Sequence, residues 1–252
     1  MRTAREVMTP VPVLALNDHL TRARKVLRDD LYREVYVQDA KKRLSGYLDI
    51  TDVLRISDTR SNVTVEGYLK EAPRVAPEDT LEQAARVIGI AGTDSAAVVG
   101  PDGIMVGGVL LSEIFPILIT RNEITGTVAD HMTRRVFTCD AGDTVSQINK
   151  LIVESGYSAF PVLRKRKLVG IVSRRDLLNA GRVRKALNQA DTIPVEEVMT
   201  TQVVTADPKE AASAAAEQLV KHDISRMPVL EGGTLVGIID RHDLLKALKR
   251  KE

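Results

Sequence analysis

Seven residues recur four times along the chain, as Gly46–Asp52 (GYLDITD), Gly107–Glu113 (GGVLLSE), Gly170–Asp176 (GIVSRRD) and Gly237–Asp243 (GIIDRHD). The glycines stand 61, 63 and 67 residues apart. A period of this size means one supersecondary unit copied four times. A unit of about 60 residues buries too little apolar surface to be stable alone, so the copies must pair. Each copy reads as a strand ending at a glycine, followed by a helix opened by a short polar or acidic residue.

The residues before each glycine predict a β-hairpin. Before Gly170 come Ala159-Phe160-Pro161-Val162-Leu163, the polar turn Arg164–Lys167, then Leu168-Val169. Before Gly237 come Arg226-Met227-Pro228-Val229-Leu230, the turn Glu231–Thr234, then Leu235-Val236. Two apolar runs around a polar turn are the hairpin pattern. Upstream, Leu20/Ala23/Val26/Leu27, Leu81/Ala84/Ala85/Ile88 and Ile148/Leu151/Ile152 repeat at helical spacing, and Ala211–Val220 is alanine-rich. Short extended segments precede these helices at Val11–Leu14, Arg74–Ala76, Val136–Thr138 and Val203–Thr205. A second helix follows each glycine phrase, as in Asp176–Ala180 and Asp243–Leu248. Each unit thus reads strand, helix, strand, strand, helix. The expected modules are 1–122, with units of about 1–60 and 61–122, and 123–252, with units of about 123–188 and 189–252, joined near Thr120–Gly126.

Composition narrows the class. Hydrophobic residues make up 44% of the 252, aromatics only 3%, and Trp is absent. Aliphatic residues must fill the core, which suits thin helix-on-sheet layers and not an aromatic platform for single-stranded nucleic acid. One cysteine, Cys139, excludes a disulfide framework or a cysteine metal cluster and reads as a buried small residue. His19, His131, His222 and His242 lack metal-ligand spacing. No catalytic triad, Walker loop or Rossmann fingerprint is present, so no enzyme is expected. The sequence has no secretory h-region and no apolar run long enough to span a bilayer, which makes a cytoplasmic protein the expectation.

Val7-Met8-Thr9-Pro10, His131-Met132-Thr133 and Val198-Met199-Thr200 each open a unit, and Ile224-Ser225-Arg226-Met227-Pro228-Val229 forms a second-strand phrase. With the fourfold glycine phrase, whose third copy carries the full Gly-hydrophobic-x-[Ser/Thr]-x-x-Asp pattern, these phrases make almost the whole chain resemble the cystathionine-β-synthase (CBS) domain family. The resemblance implies an α/β (α+β) fold of four β-α-β-β-α units. These pair into two pseudo-twofold Bateman modules, each with two clefts between its units. It also implies adenosine ligands (AMP, ADP, ATP or S-adenosylmethionine), no metal, and a disc-like monomer or a homodimer.

The chemistry of the phrases fits such ligands unevenly. An ionised carboxylate has two acceptor oxygens, so one Asp can accept from both ribose hydroxyls. Asp176, Asp243 and Asp52 stand in the first turn of a helix for this. Ser173 supplies a hydroxyl for a phosphate, and Arg174 and Arg175 add positive charge. Met132, Thr133, Val136, Phe160 and Pro161 are expected to form the adenine slot of the third unit, and Met199, Thr200, Val203, Met227 and Pro228 that of the fourth. The bland alternative is that Ser173 and Asp176 simply cap a helix, stabilising by roughly 1 kcal/mol.

The remaining copies depart from the pattern. Asp240 and Asp49 replace the hydroxyl, and a second carboxylate about 4 Å from a phosphate costs on the order of 1–4 kcal/mol. Those copies suit a nucleoside without a nearby phosphate, or a cationic ligand such as S-adenosylmethionine, with Arg241 and His242 offsetting the charge in the fourth. The first copy also has Tyr36 where the third and fourth have proline. The second copy, with Leu110 and Glu113, reads as scaffold.

Basic groups gather at Arg164–Lys167, Arg182-Val183-Arg184-Lys185 and Lys249-Arg250-Lys251, although the net charge is only +2. Their bland reading is a hairpin tip and helix ends; the sharper one is a polyanion-binding face. The expected function is a non-enzymatic regulator that binds an adenosine nucleotide and changes how it meets a protein partner. The rivals are an adaptor with empty clefts that binds RNA, a ribonucleoprotein such as the ribosome, or another protein, and a regulatory subunit resembling the AMP-activated kinase γ subunit.

Overall fold

The computed structural model describes residues 2–29, 31–55, 62–179 and 193–250. The chain divides into two compact units, Met1–Leu118 and Ile119–Glu252. In the first, one repeat comprises α1 (Ala4–Val7), β1 (Val13–Ala15), α2 (Leu20–Val26), β2 (Glu34–Gln38), β3 (Leu44–Asp49) and α3 (Ile50–Leu54). The next comprises β4 (Arg74–Val75), α4 (Leu81–Ala91), β5 (Ser95–Val99), β6 (Met105–Leu110) and α5 (Leu111–Arg121), which runs past the division. The second unit holds β7 (Asn122–Ile124), α6 (Val128–His131), β8 (Cys139–Asp140), α7 (Val145–Ser155), β9 (Ala159–Arg164), β10 (Lys167–Ser173) and α8 (Arg174–Asn179). Its last repeat adds α9 (Ala212–Lys221), β11 (Arg226–Glu231), β12 (Thr234–Asp240), α10 (Arg241–Lys246) and β13 (Leu248–Arg250).

Three sheets have the orders β1-β2-β3, β4-β5-β6 and β10-β9-β8. In each, the strand that comes first in the chain (β1, β4, β8) pairs parallel with the next (β2, β5, β9), which forms an antiparallel hairpin with the last (β3, β6, β10). This is the α/β architecture that the repeat predicts. The first helices form for local reasons. Thr80 and Thr144 cap α4 and α7 with reciprocal bonds to Gln83 and Gln147, and Gly92 and Gly156 end them in left-handed backbone. Their apolar faces, Leu81/Ala84/Ala85/Ile88 and Val145/Ile148/Ile152, are buried.

Four details differ from the sequence expectation. The third repeat's first strand lies at Cys139–Asp140, beyond Val136–Thr138. In the fourth repeat the segment Val203–Thr205 forms no strand, and only Ala206 bridges to Val229. Residues 122–124, expected as part of a polar join, form β7 and pair antiparallel with β13, where the sequence continued a helix to Leu248. The glycines of the repeated phrase do not end strands, since Gly46, Gly107, Gly170 and Gly237 all lie within them.

The reason for those glycines is a backbone clasp between paired repeats. Lys70 exchanges two hydrogen bonds with Tyr47, both of 3.0 Å. Thr9 does the same with Gly108, Thr200 with Ile171 and Thr133 with Ile238, at 2.9–3.0 Å. Each clasp joins the entrance of one repeat to the residue just after the phrase glycine of the other. A Cβ on Gly46 would stand 2.7 Å from the Lys70 carbonyl oxygen, and one on Gly170 would stand 2.4 Å from Met199 Sδ and 3.0 Å from the Thr200 oxygen. On Gly237 its nearest neighbours would be the Met132 side chain, at 2.4 Å from Sδ. All four hairpins shift register beside the glycine, the signature of a bulge.

Gly46→Ala is expected to cost about 1–3 kcal/mol, because backbone must move. Gly237→Ala should cost less, because the flexible Met132 thioether can swing aside. Urea unfolding of the two variants checks the order.

Candidate functional site

Within each unit the clasp sets the entrance of one repeat beside the helix start of the other. Thr200 meets the strand leading to Ser173, and Thr133 meets the strand leading to Asp240. The sequence-based grouping is therefore corrected for the entrance residues: Met132 and Thr133 lie against the strand leading to Asp240, and Met199 and Thr200 against the strand leading to Ser173. The physical reason is pairing between repeats, which no single repeat reveals.

The third copy forms a capping box. The Ser173 backbone N–H and hydroxyl donate to Asp176 Oδ2 at 2.7 and 2.8 Å, and the Asp176 N–H donates back to Ser173 Oγ at 3.3 Å. Arg174 is half-buried, and its N–H donates to the Ser158 carbonyl at 2.9 Å. Phe160 is fully buried in β9 with Pro161 beside it, and Met227 and Pro228 are likewise buried in β11. These four are core residues of their sheets, unlike the half-buried Val136 and Val203.

The fourth copy is a carboxylate pair. The Asp243 N–H donates to Asp240 Oδ1 at 3.0 Å, and the Asp240 N–H donates to Asp243 Oδ2 at 3.2 Å. Burial, then the negative charge of Asp240, pushes the Asp243 carboxyl up to about 6. Lys246 Nζ lies 3.9 Å from Asp243, on an exposed side chain. Arg241 is not placed to offset this charge as expected. It is buried and turned back toward the Leu219 carbonyl at 3.4 Å and Asp223 at 3.3 Å, closing the end of α9.

The first copy repeats the pair with one addition. Thr51 and Asp52 donate their N–H groups to Asp49 Oδ1 at 2.6 and 3.2 Å, and the Asp49 N–H donates to Asp52 Oδ2 at 2.9 Å. Lys70 Nζ then bridges both carboxylates, 2.8 Å from Asp49 and 2.7 Å from Asp52. Burial, then the charge of Asp49, raises the Asp52 carboxyl. Burial lowers Lys70, but its bonds to Asp49 and Asp52 outweigh that and raise it. Sequence reasoning missed Lys70. The signal was there, because Tyr68-Leu69-Lys70 stands where other repeats have Val-Met-Thr or His-Met-Thr. In the second copy Leu110 is buried and α5 opens directly on Leu111.

Cys139 is buried, and burial pushes its thiol up to about 12. Arg164 pairs with Glu196 at the base of the β9–β10 turn. The basic group Arg182–Lys185 and Lys251 lie outside the described residues. Among the described residues, no cluster of His, Cys, Asp and Glu could hold a metal, and no helix is long and apolar enough to cross a membrane.

The family model for the CBS domain matches residues 128–182 and 195–250. A Bacillus subtilis CBS domain-containing protein, YhcV, is 31% identical over 118 residues, 47% of this chain and 82% of that protein. Homoserine O-acetyltransferase of Methanococcoides burtonii is 35% identical over 129 residues, half of this chain but only 25% of the enzyme. The crystal structure of protein MJ1225 from Methanocaldococcus jannaschii superimposes with a TM-score of 0.85 at 18% identity, covering 97% of this chain and 99% of that one. That likeness shows the fold.

The sign of the Asp243 shift gives a test. A raised carboxyl favours the folded state while protonated, below the usual value near 4, and that contribution is lost as pH rises through about 6. Asp243→Asn should therefore melt above the unaltered protein at pH 7.5, with the gap closing below about pH 4. Thermal unfolding across that range checks it.

Proposed function

This chain belongs to the CBS domain family, and on that premise we propose that it is a non-enzymatic regulator that holds adenosine ligands in the clefts of its second unit. The observation that carries this reading is the composite geometry of that unit. The entrance of one repeat is clasped to the strand that leads, two residues on, into the acidic helix start of the other. The Asp176 cleft, with Ser173, Arg174 and Arg175 at hand, suits a ligand carrying phosphate: AMP, ADP or ATP. The Asp240–Asp243 cleft repels phosphate and suits an uncharged adenosine or the cationic S-adenosylmethionine.

In both clefts the ribose hydroxyls donate to a carboxylate that already caps a helix. Capping and binding are compatible, because a carboxylate offers about four acceptor positions. The shared region makes up most of a CBS domain-containing protein and a quarter of an acetyltransferase. That supports a module serving other proteins' chemistry without performing any. Regulation then follows from linkage: a ligand favours one arrangement of the paired repeats by no more than its differential affinity, and a partner that senses the arrangement responds.

A second reading rests on the β9–β10 turn. Lys165 and Arg166 are exposed and both left-handed, at φ 50° and 67°, where the fourth repeat uses Gly232 and Gly233. Cations kept where glycine is easier favour contact with a polyanion such as RNA or a ribonucleoprotein. Such binding would fall steeply with added salt.

Titration calorimetry with AMP, ADP, ATP, adenosine and S-adenosylmethionine tests the main reading. Asp176→Ala should weaken phosphate-bearing ligands by at least about tenfold, whereas a pure cap would cost only about 1 kcal/mol of stability and leave affinity unchanged. Binding through Asp243 should weaken as pH falls through about 6, because a protonated carboxyl loses acceptor strength. No heat with any of the five ligands would sink the proposal.

A further inference from the structure

The first copy of the phrase has the acidic pair of a ligand cleft and an ammonium already seated on it. We propose that Lys70 is a built-in occupant that closes the Asp49–Asp52 cleft to outside ligands, and that the residue at this clasp position decides whether each acidic cleft is open. The inference rests on the reading that these carboxylate pairs hold ligands, and deepens it by naming the residue that selects among them.

The repeats make the comparison internal to the chain. Lys70 clasps Tyr47, two residues before the cap Asp49. Thr133 clasps Ile238, two residues before the cap Asp240. The two positions are therefore equivalent in register, and both caps are aspartates followed three residues later by a second aspartate. In the first copy the ammonium lies 2.8 and 2.7 Å from the two carboxylates. Both copies also carry a cation three residues after the second aspartate, Arg55 at 3.6 Å from Asp52 and Lys246 at 3.9 Å from Asp243, so the difference lies at the clasp position, which is a threonine in the fourth. Asp52 is 1% exposed, so its negative charge needs a partner that water cannot supply. Lys70 supplies the closer one, at 2.7 Å against 3.6 Å for Arg55, and its ammonium also lies 5.6 Å from the centre of the Tyr47 ring.

The space beside this plug remains. Tyr47 lines a cavity of about 480 Å³ together with Ala72, Pro73, Arg74, Val87 and Ile90. Tyr47 thus links the plug to open space in the first unit, while the Asp49 and Asp52 oxygens that Lys70 takes lie outside that lining. Removing the Lys70 ammonium would return those oxygens to a ligand.

The test uses the full chain and adenosine as the probe, which has no phosphate to be repelled by either acidic pair. Lys70→Thr should add one bound adenosine per chain in calorimetry, and Lys70→Thr with Asp52→Asn should lose that gain. The reciprocal Thr133→Lys should weaken adenosine at the fourth copy by at least tenfold. A second readout needs no nucleotide. Lys70→Ala should melt below the unaltered protein, and methylammonium chloride should restore its melting point where sodium chloride of equal ionic strength does not. A folded Lys70→Thr protein with no added site overturns the proposal. So does a Lys70→Ala protein that both salts rescue equally or that needs no rescue. If the unaltered chain binds no adenosine ligand, the proposed function fails, and the amine rescue still decides whether Lys70 occupies the pair.

Discussion

Two hydrogen bonds per repeat hold the architecture to its purpose. The clasp between an entrance residue and the strand leading into a helix cap recurs four times with bonds of 2.9–3.0 Å. A side chain on the neighbouring residue would press on clasp backbone at Gly46, Gly107 and Gly170 and on the Met132 side chain at Gly237, which accounts for glycine at the head of the phrase. The clasp fixes which repeat faces which, sets the entrance loop beside the acidic helix start, and leaves a bulge in each hairpin. Packing of small aliphatic helices on three-stranded sheets supplies the bulk of the stability, but it does not specify this facing. The backbone contact does.

Symmetry of backbone then meets asymmetry of charge. Four equivalent helix starts carry Asp49, Leu110, Ser173 and Asp240. One is apolar, one pairs a hydroxyl with an acid, and two pair acid with acid. Burial and a neighbouring carboxylate raise the second aspartate of both acidic pairs. What differs is the countercharge: the first pair has an ammonium held across both carboxylates. The fourth has a threonine at that position, and its Asp243 is pushed up to about 6. A family fold therefore does not imply four equal sites, and function is decided by single residues at equivalent positions.

The fold was largely legible in the sequence because repeats report architecture redundantly. The Thr80 and Thr144 capping boxes, the helical stripes and the hairpins are local features with local causes. What sequence reading missed was non-local. It grouped Met132 and Thr133 with Ser173, although they clasp the strand before Asp240. It aimed Arg241 at a ligand, although the side chain is drawn to the end of α9. It read Gly170 as a strand end, when the glycine is a point of close contact with Met199 and Thr200. Lys70 was hidden for another reason: a lysine in a surface-like loop has no signature until the repeats are aligned and its counterpart is seen to be threonine.

The pairing of β7 with β13 has a topological consequence. Asn122–Ile124 and Leu248–Arg250 lie side by side, so the second unit is entered and left at one place. A unit with adjacent ends can be spliced into a surface loop of a host without stretching either partner, or have its ends joined and new ones cut elsewhere. Any movement of the paired repeats would then be delivered to the host through two neighbouring strands, as a change in the separation or twist of its own loop. The geometry that closes the unit on itself thus also makes it portable.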